Sequence, residues 1–149
     1  FKAWPEMEQY FAYVTSIVGA DRGTIEQLVS KRKRANVSFS QACNSFFQGL
    51  AADGAKAALF EVSRLCYTDP ASPLFGTRPV MFIHDEIIAE TPVEKAPEAA
   101  DVLARVMREE MGKFTPDIPI STSVVLTDRW YKNAEEVRND AGRLVVWRP

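Results

Sequence analysis

The stretch Met81 to Glu90, MFIHDEIIAE, constrains the fold more than any other. Apolar Val80 to Ile83 run directly into His84, Asp85 and Glu86, and Ile87, Ile88 and Ala89 are apolar again. Apolar runs this short, bounded by turn residues and rich in β-branched and aromatic side chains, predict buried strands. Two strands with almost nothing between them make a hairpin, expected over about 79–91, and its tip carries the chain's only histidine beside two carboxylates. Asp-Glu is poor turn chemistry, because tight hairpins favour Asn-Gly or Asp-Gly. A tip that ignores turn preference is a candidate functional site. The competing reading is a charged loop between strands.

Composition bounds what that site serves. The 149 residues are one domain's worth of chain, with 46% hydrophobic and 26% charged residues as in ordinary globular proteins. The formal net charge of −2 excludes a wholesale basic nucleic-acid coat, so any contact with phosphates needs a local patch. No apolar run approaches the ~20 residues of a membrane span, and no signal-peptide pattern opens the chain. Cys43 and Cys66 lie far from any CxxC spacing, which argues against a structural zinc site or a disulfide framework and for reduced thiols in a core. The chain begins at Phe1 and reads as a piece cut from something longer.

Trp4, Met7, Phe11, Val14 and Val18 recur at three and four residues, predicting an amphipathic helix over 3–18 with Pro5 in its first turn. A connector with β-prone Thr24 to Val29 delivers the basic run Lys31, Arg32, Lys33 and Arg34, which reads as a solvated loop or as a phosphate contact. A long helix follows over 38–67, with Asn36 or Ser38 as N-cap. Phe39, Cys43, Phe46 and Leu50 mark its core face. Gln41, Asn44 and Gln48 fall together on the opposite face, followed by Ala51, Ala52 and Ala55. Gly49 and Gly54 each cost a helix about 1 kcal/mol relative to alanine, so close approach of another group is expected there. The polar face is either a solvated stripe or a surface that lies against a polymer. After a loop over 68–79 and the hairpin, a second amphipathic helix is expected over 97–114, with Ala100, Leu103, Met107, Met111 and Phe114 inward. Ile118 to Leu126 and Leu144 to Trp147 are strand candidates, Trp130 and Tyr131 anchors, and Asn139 to Gly142 a turn. The order of elements predicts an α+β fold, an antiparallel sheet covered on one side by long helices.

NSFFQGLAADGAKAAL (Asn44 to Leu59), followed by FIHDEI (Phe82 to Ile87), resembles the C-terminal palm of family A DNA polymerases, the DNA polymerase I type. The family's counterparts are an Asn-x-x-x-Gln-Gly-x-Ala-Ala-Asp helix and the Val-His-Asp-Glu hairpin called motif C. FKAWPEMEQYF is similar to the helix after the nucleotide-binding helix of the fingers, and IPISTSVVLTDRWYKN to the closing palm strand. The resemblance covers about residues 1–132, and GLAADGAK and RWYK place it near the phage-like branch. It divides the chain into a fingers-derived helix and connector (1–34), the C-terminal part of the palm (35–132) and an extension (133–149) beyond the usual family ending.

The resemblance implies a catalytic role for Asp85, Glu86 and His84. Asp85 would bind catalytic Mg²⁺, with Glu86 as the lesser metal contact and His84 beside the primer terminus. It implies that Asn44 and Gln48 touch the primer–template duplex, with Gln41 as a further contact on the same face. The basic run Lys31 to Arg34 would bind backbone phosphate. Amides suit a minor groove whose acceptors recur for every base pair, so they can check shape without selecting sequence. One departure stands out. Ser40 occupies the position, four residues before Asn44, where many members carry arginine; Gln41 or Arg34 would have to supply that contact. The implied partners are primer–template DNA, deoxynucleoside triphosphates and the remainder of a polymerase, with no membrane, in a bacterial or phage-infected cytoplasm. The sequence lacks the family's motif A aspartate, its fingers helix with Arg, Lys and Tyr, and its thumb, so these 149 residues are not expected to polymerise DNA unaided. A non-catalytic duplex-binding or accessory module is the alternative, and an unrelated α+β domain with a coincidental His-Asp-Glu a third.

Overall fold

A computed structural model describes residues 2–149; Phe1, on which the first sequence segment opens, lies outside the described residues. Among the described residues the fold is α+β, with three α-helices and two antiparallel two-stranded sheets. It divides into two compact units, residues 1–53 and 54–149.

In the first unit, α1 (Glu6–Val18) starts one residue after Pro5 and ends at Gly19, whose φ of 67° turns the chain. β1 (Gly23–Glu26) and β2 (Lys33–Val37) form an antiparallel ribbon, and the first part of α2 (Phe39–Tyr67) completes the unit. Its core is Val14, Val18, Ile25, Val37, Ala42 and Phe46. Trp4, expected inward, is 71% exposed, because it precedes the first helical turn. The α2 N-terminus is a reciprocal capping box. Gln41 N–H donates to Ser38 Oγ at 3.5 Å, and Ser38 N–H donates to Gln41 Oε1 at 3.0 Å.

The inward stripe of α2 here is Ala42, Ser45, Phe46 and Asp53, rotated from the expected Phe39, Cys43, Phe46 and Leu50. The cause is polar. The ribbon lays Gln27, Arg32 and Arg34 against this helix, so Ser45 and Asp53 go inward as their partners. The close approach expected at Gly49 is present. A Cβ there would overlap the Gln27 side-chain amide.

In the second unit, the remainder of α2, the loop through Leu74 and α3 (Ala96–Gly112) enclose Val62, Cys66, Leu74, Ala99 and Val106. Burial pushes the Cys66 thiol up, which fits a reduced core cysteine. Gly54 also has its close neighbour, Met111, whose Sδ would lie 2.7 Å from an added Cβ. Leu103, Met107 and Met111 of α3 are half-buried, and the fully covered positions are the small Ala99, Ala100 and Ala104 with Val106.

β3 (Arg78–Ile83) and β4 (Glu86–Glu90) form the expected hairpin, with a register irregularity between Pro79 and Met81. Its strands are not buried as expected: no residue of either is fully covered, and Val80 and Met81 are 51% and 53% exposed. Nor, among the described residues, does a third strand join it. Ile118 to Leu126 is irregular along α3, interrupted by Pro119, which lacks the N–H a ladder needs. Leu126 instead makes an isolated bridge to Val146, and Leu144 one to Arg138. The expected final strand over 144–147 is reduced to these two bridges.

The 133–149 segment is nevertheless fixed. Leu144 is buried, Trp147 stacks on Tyr131 with ring centroids 5.1 Å apart, and Arg138 reaches Asp101 of α3 at 2.7 Å and Glu136 at 2.7 Å. Trp130, expected as an anchor, is exposed. The hydrogen bond from Arg138, reinforced by Val124 N–H, holds the Glu136 carboxyl below its ordinary 4.5. A depressed carboxyl contributes stability that is complete above its unfolded value and is lost as pH falls through the folded one. A pH titration by NMR should therefore give Glu136 a midpoint below 4.5, shared by the Val124 amide. Arg138→Ala should raise it toward the ordinary value, with the Val124 N–H still holding part of the depression. A midpoint at or above 4.5 with Arg138 intact would contradict the contact.

Candidate functional site

The hairpin turn consists of His84 and Asp85, one residue earlier than the Asp-Glu tip expected, and Glu86 opens β4 paired with Ile83. Two-residue hairpin loops need φ above zero at the first central position, where glycine is usual. His84 takes that position with φ 55°. Histidine is among the few non-glycine residues enriched there, yet it still costs of order 1 kcal/mol or more. His84, Asp85 and Glu86 are all exposed, and their side chains have no hydrogen-bond or ion-pair partner among the described residues. The tip is thus an open carboxylate pair on a short hydrogen-bonded ribbon. Among the described residues, no three His, Cys, Asp or Glu side chains converge to hold a metal ion. Two neighbouring hard oxygen donors suit Mg²⁺, which takes one or two protein carboxylates and fills its other positions with water and phosphate oxygens.

In the first unit, the basic run is not a free loop. Lys31 sits in the turn between the strands with φ 58°, Arg32 follows, and Lys33 and Arg34 lie on β2. Arg32 is tied to Asp53, with Nε to Oδ1 at 2.9 Å and a second guanidinium nitrogen at 2.6 Å. Arg34 Nη1 donates to Ser45 Oγ at 2.6 Å, and Lys33 stands 3.7 Å from Glu26. The Lys31 backbone N–H donates to Gln27 O at 3.1 Å, and its side chain has no partner among the described residues.

Arg32, Lys33 and Arg34 line one cleft of about 250 Å³ with Gln27, Ser45, Gln48, Gly49 and Ala52. The ribbon thereby brings three of the four basic residues to Gln48. Asn44 and Gln48 are exposed on α2, as the face reading required. Gln41 is exposed too, but its amide oxygen is engaged in the helix cap. Sequence reasoning missed Gln27, Ser45 and Asp53. The available signal was a polar residue at each inward position of an otherwise apolar or small stripe.

Residues 4–132 match the sequence model of DNA polymerase family A. The chain belongs to DNA polymerase family A. This family A segment is 29% identical over 137 residues to the chloroplastic/mitochondrial DNA polymerase I A of Arabidopsis thaliana, covering 87% of the chain and 12% of that protein. It is 28% identical over 133 residues to DNA polymerase I of Aquifex aeolicus, covering 89% of the chain and 22% of that protein. Against DNA polymerase I of Deinococcus radiodurans the identity is 25% over 142 residues, 88% of the chain and 14% of that protein. The family A segment thus spans less than a quarter of the length of the curated relatives it matches. No solved structure matches it. Among the described residues no helix is long and apolar enough to cross a membrane.

Proposed function

We propose that this segment is part of the catalytic core of a template-directed DNA polymerase, with β3–β4 as the family's motif C hairpin. The observation that carries the reading is the pair of exposed, unpartnered carboxylates at the turn of that hairpin, in a chain whose residues 4–132 match the family. Asp85 is the principal Mg²⁺ ligand, Glu86 the lesser one, and His84 stands at the primer terminus. When bound, the metal ions neutralise triphosphate charge and activate the attacking hydroxyl. Asn44 and Gln48 touch the minor groove of primer–template DNA, with Gln41 at the edge of that face, and the basic ribbon binds backbone phosphate. Arg34, sharing the cleft with Gln48, is positioned to supply the contact that Ser40 lacks.

The second metal carboxylate, the triphosphate-binding helix and the thumb come from elsewhere in the enzyme. Residues 1–34 derive from the fingers and 35–132 from the palm, while 133–149 is an extension that braces α3. The GLAADGAK and RWYK sequences support the phage-like branch and a bacterial or phage-infected cytoplasm. A duplex-binding accessory module is the second reading, favoured by the cationic cleft alone.

Adding a polypeptide that carries the upstream family A segments separates the two. Primer extension in the mixture is the expected outcome; duplex binding without synthesis would leave the accessory module. In the extending mixture, Gln48→Ala should weaken duplex binding about three- to tenfold, nearly equally across template sequences. A strongly base-specific loss would contradict minor-groove contact.

A further inference from the structure

We infer that Asp53, Gln27 and Ser45 are positioning residues for the duplex-contacting surface, and that Arg32 serves this fastening and is not itself a phosphate contact. The inference rests on the duplex reading above and assigns the parts within it.

Asp53 is buried in α2, its side chain 4% exposed, and Arg32 satisfies one of its carboxylate oxygens twice over. The guanidinium that points to Asp53 is already neutralised, so a phosphate would have to compete with a buried carboxylate for it. Gln27, 6% exposed, follows β1 and donates its amide Nε2–H to Ser45 O at 3.0 Å. It lies so close over Gly49 that no side chain fits between them. Ser45 in turn accepts from Arg34 through its hydroxyl. Three separate polar attachments thus hold a two-stranded ribbon, marginal by itself, against one stretch of helix from Ser45 to Asp53. The result of that registration is the shared cleft of Lys33, Arg34 and Gln48. Buried Gln27 Oε1 and Asp53 Oδ2 have no partner among the described residues, so polar burial here is costly and needs a compensating role.

The test is binding of the 149-residue chain to a primer–template duplex by fluorescence anisotropy over a range of salt. Asp53→Ala removes a negative charge from beside a cationic surface. Charge counting alone predicts tighter binding and a steeper salt dependence as Arg32 is freed. The positioning role predicts the reverse: binding about three- to tenfold weaker, with Arg32→Ala equally weak and the double variant no weaker than either. Arg32→Lys, which keeps a cation for Asp53, should bind near wild type. Tighter binding by Asp53→Ala, or additive losses in the double variant, would overturn the inference while leaving the duplex reading intact.

Should Asp53→Ala fail to fold, Ser45→Ala keeps the helix and removes only the Arg34 anchor. It should weaken binding about two- to tenfold, and undiminished binding would count against the inference. A folded wild-type chain with no affinity for the duplex would overturn the duplex reading and this inference together.

Discussion

In a polymerase containing this chain, Asp85→Ala is expected to lower the rate of nucleotide addition about 10³-fold or more, with primer–template affinity nearly unchanged. The side chain stands at the second position of a two-residue turn, exposed and without an internal partner. Its removal costs the fold little, because no buried hydrogen bond or ion pair is lost. On the proposed reading, what is lost is a ligand for metal ions that carry several kcal/mol of transition-state stabilisation. Single-turnover extension together with duplex binding checks both halves. Near-normal extension would remove Asp85 from the metal site, and parallel loss of duplex affinity would point to a folding defect. Glu86→Ala is expected to be the milder of the two, since Glu86 belongs to the β4 ladder beside Ile83.

The largest stability effect is expected at Gly23, where β1 meets the end of α1. A Cβ there would lie 2.6 Å from Ile17 O and 2.7 Å from Val18 Cα, both backbone atoms that cannot rotate away. Gly23→Ala should therefore destabilise the first unit by about 3 kcal/mol, as overpacking does when the neighbours are rigid. Gly19→Ala has open space around its Cβ and carries only the penalty of a backbone that glycine alone adopts readily, φ 67° with ψ −150°, roughly 1–3 kcal/mol. Urea unfolding of the two variants gives the ordering, and a Gly23→Ala variant as stable as wild type would contradict the α1–β1 packing. The same reasoning separates Gly49 from Gly54. The first faces a side-chain amide that is itself held by Ser45, and the second the flexible thioether of Met111.

The periodic parts of the chain were legible in the sequence because local patterns determine them. The long helix through Phe39–Tyr67, the α3 helix and the β3–β4 pairing follow from apolar spacing, a Ser38–Gln41 capping box and short apolar runs. The two helix glycines signalled close approach correctly, since a glycine inside a helix is unfavourable unless a neighbour requires it. The hairpin tip was visible as polarity where turn chemistry called for something else, although the turn itself falls at His84-Asp85.

The failures have one physical source. A strand needs a partner with free N–H and C=O groups, and apolar content from Ile118 to Leu126 says nothing about whether one is in reach. Here Pro119 and the pull of α3 and the 133–149 segment took that stretch out of any sheet. The inward face of α2 was misread for a related reason. Burial of Asp53 is favourable only with Arg32, 21 residues earlier, and burial of Ser45 only with Gln27 and Arg34. The sequence by itself determined the helices, the hairpin, the family and the residues available for chemistry. The tertiary structure alone decided which charges are spent inside the protein and which remain for a ligand, because a polar group's burial depends on partners that only folding brings to it.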